Sequence, residues 1–214
     1  SSGFLYRSNK LMFDRETHSL WNQFTGKPVI GPLVESGLEL KRRPVTIQPW
    51  GEWRAANPET KVLSLDTGHE RDYGSGVVYN DYFSSEGLMF PALVNQQVLK
   101  QKDYIFGIRQ RGVARAWPLG AFAGGRVIND AVGEMAVVLV GDAAGRTVRA
   151  YERGARRFEA GRAGELRDGD ERWEITEEAL LGPGNTRLPR VAGHIAYWFA
   201  WDNYLGLRAE LYQG

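Results

Sequence analysis

The stretch "SLDTGHERDYGSGVVYNDY", Ser64 to Tyr82, holds the densest set of side chains that can do chemistry. It carries Asp66, His69, Glu70, Arg71, Asp72, Tyr73 and Asp81. An imidazole flanked by carboxylates is a donor set for zinc or another divalent ion, with Asp66, His69 and Asp72 as the ligands. The spacing matches no established ligand pattern, however. The same residues serve as a structured connector if Asp66 and Asp72 accept from backbone amides, Arg71 pairs with a carboxylate and Tyr73 closes a turn. That connector reading requires no cofactor; a divalent metal is the one cofactor the stretch suggests.

Other reactive groups are more scattered. His18 falls in the turn of "DRETHSLW", and His194 precedes an aromatic run, where a capping or core histidine is expected. Three histidines in three contexts form no evident triad. Ser75 in "YGSGV" lacks the G-x-S-x-G elbow. Asp14 with Glu16, and Glu177 with Glu178, are close carboxylate pairs of the type glycoside hydrolysis uses, yet solvated turns and strand ends look the same. "AFAGG" (121–125) lacks the form of a phosphate loop. With no cysteine in the chain, disulfides, thiolate catalysis and Cys-ligated metals are excluded within these residues. The balance is against an enzyme.

Seven tryptophans could stack on sugars, bases or a flat ligand. "WGEW" puts Trp50 and Trp53 at i,i+3, and "WFAW" does the same for Trp198 and Trp201, so each pair shares one helical face. Core or subunit interface is the expected use of all four.

The elements that must position these groups are mostly strands. Short apolar runs broken by Gly, Asp and Asn dominate. "DYIFGIRQRGVARAWPL" predicts a hairpin with strands from Tyr104 and from Val113 to Trp117. "RVINDAVGEMAVVLVGDAAGRTVRAYER" predicts three strands, with Asn129 and Asp130 in the first turn and "GDAAG" as the second. "KLMFDRETHSLWNQF", "RRFEAG" and "GELRDGDERWEI" repeat the theme. Helices are predicted at "TIQPWGEWRAANPE", between Pro49 and Pro58, at "HIAYWFAWDNYLG", ending on Gly206, and as a short turn at "NQQVLKQKD". The fold class expected is mainly β, with short Trp-bearing helices.

One order of features occurs twice. Asp14, Trp21, Gly31-Pro32, Leu40 and Trp50/Trp53 correspond to Asp168, Trp173, Gly182-Pro183, Leu188 and Trp198/Trp201. An internal duplication is expected, giving two related β-sheet or barrel-like units over 1–102 and 103–214, packed as one body. Asp14, Gly31 and Pro32 are then structural turns. The second copy is preceded by hairpins from Tyr104 to Gly161 and the first is not. The expectation is that the first unit is incomplete at its beginning and that another chain or segment covers the edge.

Bulk properties narrow the partners. A net charge of +1 gives no global field for nucleic acid or an anionic membrane. The longest apolar run, "AVVLVG", is far too short to span a bilayer.

Three stretches resemble a known family: "SGFLYRSNKLMFDRETHSLWNQFTGKPVIGPL", "ETKVLSLDTGHERDYGSG" and "GVARAWPLGAFAGGRVINDAVG". They are similar to the family catalogued as domain of unknown function 3179, most specifically in "DRETHSLWNQFTG" and "TGHERDYG". The resemblance implies extracytoplasmic bacterial or archaeal proteins, secreted or membrane-anchored, with no established activity. The family's Cys-containing "CPLC" segment falls upstream of the match to Ser1, so no thiol or metal role of that segment carries over. Together these readings predict a non-catalytic structural or interaction subunit with a protein partner, docked on a larger membrane-associated or electron-transfer assembly. The alternatives are a metal-dependent protein with its site in 64–82, and a small-ligand or carbohydrate-binding module that uses Trp.

Overall fold

A computed structural model of the chain describes residues 2–74, 78–110 and 112–214. Strands take up 34% of it and helical turns 14%, so the fold is mainly β. The sheets are small and open; among the described residues none closes into a barrel. Two compact units emerge, Ser1–Ile47 with Ala92–Gly214, and Gln48–Pro91. The larger unit groups the N-terminal segment with the C-terminal half of the chain.

In chain order, β1 (Leu5–Tyr6) and β2 (Asn9–Lys10) form a hairpin, and β3 (Met12–Phe13), β4 (Leu20–Trp21) and β5 (Pro28–Ile30) an antiparallel meander. Helices α1 (Trp50–Ala56) and α2 (Asn80–Ser84) lie in the smaller unit. The hairpin β6 (Tyr104–Gln110) and β7 (Val113–Pro118) pairs from Ile105↔Pro118 to Gln110↔Val113; Arg111 lies outside the described residues. Next comes the meander β8 (Arg126–Val132), β9 (Met135–Asp142) and β10 (Thr147–Glu152). A five-stranded sheet follows, from β11 (Glu159–Ala160) through β12 (Glu165–Asp168), β13 (Glu171–Ile175) and β14 (Ala179–Leu181) to β15 (Arg187–Pro189). Then β16 (Gly193–Tyr197) runs directly into α3 (Trp198–Leu205), and β17 (Ala209–Leu211) pairs parallel with β7.

The larger unit is layered, because its central strands are buried on both faces. In β9, Val137 and Leu139 pack toward β6 and β7, whereas Val138 packs toward Phe158, Leu166, Trp173 and Leu180 of the five-stranded sheet. A strand buried on both sides reads as one continuous apolar run, as "AVVLVG" does. β6 alternates likewise: Phe106 and Ile108 face β9, while Ile105 packs on Trp198 and Trp201 of α3.

Some local expectations are corrected. Asn129 and Asp130 are not turn residues; they lie in β8 opposite Val138 and Val137. The turn is Gly133-Glu134, where Gly133 takes φ 58°. The two polar residues are free to sit in a strand because each has fixed partners. Asn129 Nδ2 donates to the Phe158 carbonyl at 2.7 Å, and its Oδ1 accepts from Phe158 N–H at 2.8 Å. Asp130 accepts from Arg115 Nε and Trp117 Nε1, each at 2.9 Å. The helix expected from His194 starts only at Trp198, because Gly193–Tyr197 pairs with β6. "NQQVLKQKD" makes turns and bends rather than a helix.

The two stretches set side by side in the sequence share a local order. Trp21 and Trp173 each sit in the middle strand of their antiparallel sheet, and a Gly-Pro pair follows the next strand of both. The likeness stops there. Leu188 is in β15 whereas Leu40 is in no strand, and α3 buries Trp198 and Trp201 whereas α1 buries nothing.

Candidate functional site

The metal reading of 64–82 asks for three ligands brought together. The structure places Asp66, His69 and Asp72 in exposed backbone of the smaller unit, without bringing them together. Asp72 Oδ1 accepts from Gly74 N–H at 2.8 Å, and Asp66 N–H donates to Ser64 Oγ at 3.0 Å. The Tyr73 hydroxyl hydrogen-bonds Thr67 Oγ1 at 2.7 Å, while Arg71 is exposed. Among the described residues no group of three or more His, Asp or Glu could hold a metal ion. Ser75 lies outside the described residues.

The larger unit contains a different site, a cleft of about 680 Å³. It starts from an Asn. Asn22 Oδ1 accepts from the backbone N–H of Phe24 at 2.8 Å and of Thr25 at 3.1 Å, a turn that drives Phe24 inward. Just beyond, Gly26 O accepts from Leu40 N–H at 2.8 Å. That bond begins a strap, residues 40–47. Its far end is tied by Arg190 Nη2 to Thr46 Oγ1 (2.7 Å), Thr46 Oγ1 to Glu177 Oε2 (3.0 Å) and Thr147 Oγ1 to the Ile47 carbonyl (2.9 Å). Between the ties the strap carries Lys41, Arg42 and Arg43 along the cleft.

The opposite wall comes from β16 and α3. His194 sits opposite Gly107 across the β16–β6 pair, so both face α3. Trp201 lies against Gly107, and a methyl group there would overlap its ring. Phe24 completes the floor, with ring centroids 5.1 Å from His194, 5.9 Å from Trp201 and 5.4 Å from a stacked Tyr204. Above this buried floor, Trp21, Tyr197 and Phe199 are only half-buried and line the cleft.

The electrostatics are one-sided. Lys41, Arg42, Arg43 and Arg109 line the cleft, and among the described residues no Asp or Glu does. Arg42 Nη1 donates to the Arg109 carbonyl at 2.5 Å, and Arg109 Nη1 donates to the Phe24 carbonyl at 3.0 Å. Both cations are thus held by neutral acceptors. Burial, and then the Arg109 charge, outweigh the opposing Glu39 charge and hold Arg42 below its ordinary pKa. Burial, and then the Arg42 charge, push His194 down to about 4, so its imidazole is neutral at pH 7. Three buried N–H donors in the walls, Asn9 Nδ2, Asn22 Nδ2 and Trp201 Nε1, find no acceptor among the described residues. The arrangement can hold and orient a bound molecule.

Sequence reasoning reached Trp201, read as core or subunit interface, and His194, read as a capping or core histidine. It missed Trp21, Phe24, Arg109 and the 41–43 strap. The available signal was "KRR", three cations in a row with no acidic residue between them. The four singled-out tryptophans part company: Trp198 and Trp201 are fully buried, while Trp50 and Trp53 are exposed in the smaller unit. Trp198 Nε1 donates to the Gln96 carbonyl at 2.9 Å. Asp14 caps its turn, accepting from the Thr17 hydroxyl and from Glu16 N–H, and both bonds hold its carboxyl below the usual range. Gly31 takes φ 103° at the end of β5, followed by Pro32.

The smaller unit has no buried side chain among its described residues. It exposes Trp50, Val62, Leu63, Leu65, Phe83 and Phe90, with Leu63 at 93%.

Among known proteins, the sequence model of the family described as "Protein of unknown function (DUF3179)" matches residues 1–206. No curated protein and no solved structure matches the chain. Among the described residues no helix is long and apolar enough to cross a membrane.

Proposed function

The chain belongs to the DUF3179 family, and we propose that it is a non-catalytic binding module that holds a small molecule in the cleft between the 40–47 strap and β16–α3. The observation that carries this is the cleft itself: about 680 Å³, floored by aromatic rings and edged by polar groups. Ligand pockets of roughly 300–1,000 Å³ share that apolar lining with a few placed polar groups. A panel of small ring-bearing molecules tests the reading by thermal shift, on the native chain and on Ala192→Trp, which fills the cleft wall. Stabilisation of the native chain and not of the filled variant is expected. A panel that stabilises neither, or both alike, overturns it.

A second reading has its own support. The segment Gln48–Pro91 exposes large apolar side chains and buries none among its described residues, which is how an interaction segment looks before its partner arrives. On that reading the chain is an extracytoplasmic interaction subunit, an accessory of a membrane-associated or electron-transfer assembly. Replacing Leu63, Leu65 and Phe83 with serine would then leave the stability of the larger unit unchanged and abolish association, read by sedimentation of the chain with its purified assembly. Unaltered association would remove this reading.

A further inference from the structure

Resting on the cleft being a ligand site, we infer that its ligand is an organic anion: a flat ring bearing a carboxylate. Four cations line the cleft, and among the described residues none is in an ion pair and no acid lines the site with them. The acid whose charge reaches Arg42, Glu39, lies outside the cleft lining and is itself paired with Lys27 at 3.6 Å. Gathering four like charges against so little counter-charge raises the energy of the empty site, and a carboxylate lowers that cost. Arg42 and Arg109 are oriented by a bond each: one guanidinium nitrogen goes to a backbone carbonyl, which leaves the rest of the planar fork for a carboxylate. Lys41 and Arg43 are exposed on the strap at the mouth, where they attract an anion without having to be buried with it.

The apolar half of the ligand follows from the rings. Trp21, Tyr197 and Phe199 keep part of their surface open on the cleft, and a ring pressed on them removes that area from water. His194 favours an anion over a cation only weakly, because it is neutral at pH 7; its faces are taken up by Phe24 and Trp201. Ser8, Asn9 and Gln23 also line the cleft and can hydrogen-bond a ligand, so the preference for an anion rests on charge. A cationic ligand would meet repulsion here, and a plain hydrocarbon would leave the cations unanswered.

The test is a matched set of probes titrated against the full chain by Trp fluorescence and calorimetry: 2-naphthoate, 2-naphthamide and acetate. Naphthoate is expected to bind at least about tenfold more tightly than the amide, as a charge-assisted pair exceeds a neutral hydrogen bond. Its affinity should fall with added salt, and acetate should bind far more weakly than either. Lys41→Gln/Arg43→Gln, both exposed positions, should cost naphthoate several-fold and leave naphthamide unchanged, with thermal unfolding unaltered. Arg42→Gln should cost more. Equal binding of naphthoate and naphthamide overturns the anion inference and leaves the cleft standing as a ligand site. Binding of neither probe overturns both. Naphthoate binding that survives in Ala192→Trp places the anion elsewhere and overturns the inference too.

Discussion

Gly107 and Trp201 occupy one position in space: the indole of the α3 tryptophan lies where a side chain on the β6 glycine would stand. The contact lets the helix come down onto the sheet and so sets the floor of the cleft. Gly107→Ala is therefore expected to destabilise the chain by about 1–3 kcal/mol through overpacking. A lowered urea midpoint with an unchanged slope would show it; a midpoint within error of the native chain would refute the contact.

The tryptophan pairs should separate in mutagenesis. Trp201→Ala removes a fully buried ring and is expected to cost about 3–5 kcal/mol. Trp53→Ala removes a partly exposed one, whose Nε1 bonds Thr60 Oγ1 at 3.0 Å, and is expected to cost about 0.5 kcal/mol or less in the larger unit. Denaturant unfolding of both variants against the native chain is the measurement. Equal losses would contradict the burial difference.

His194 makes stability fall with acid. Its folded pKa is about 4 and its ordinary value 6.5, so between these the unfolded chain binds the extra proton. The contribution is complete above pH 6.5 and is lost as pH drops toward 4, to a limit of about 3 kcal/mol. His194→Phe should flatten the stability profile in that window. A profile as steep as the native one there would show that His194 is not the group responsible.

Glu177 ties the strap to the sheet. Burial acts to raise its pKa, but hydrogen bonds and charge from Arg149 and Arg190 outweigh it and lower the value to about 2. A carboxylate held below its ordinary 4.5 contributes stability above that pH and loses it as pH falls toward 2. Glu177→Gln leaves the Arg190 side chain, only 4% exposed, without its carboxylate. The cost expected is about 2 kcal/mol, between exposed and buried ion pairs, together with weaker naphthoate binding through a looser strap. Unchanged stability and unchanged affinity would show that the tie does not matter.

Local chemistry was legible in the sequence. The β6–β7 hairpin, the doubly buried β9 run and the α1 boundaries between Pro49 and Pro58 could all be read, because each depends on residues close in the chain. The family membership was legible for a similar reason, since its motifs are contiguous. Where local cues were ambiguous, pairing with a distant strand decided. Asn129 and Asp130 look like turn formers, yet partners at Phe158, Arg115 and Trp117 keep them in β8.

The amino-acid sequence by itself determined the class of fold and the position of two WxxW helices. It could not tell that one helix is core and the other surface, because i,i+3 spacing sets only a common face and not what covers it. Nor could it assemble the cleft. "KRR" meets His194 and Trp201, some 150 residues away in sequence, only because Leu40 bonds Gly26 at one end of the strap and Thr46 and Ile47 bond the sheet at the other. Contacts over such separations are set by packing of whole layers, and tertiary structure alone decides them.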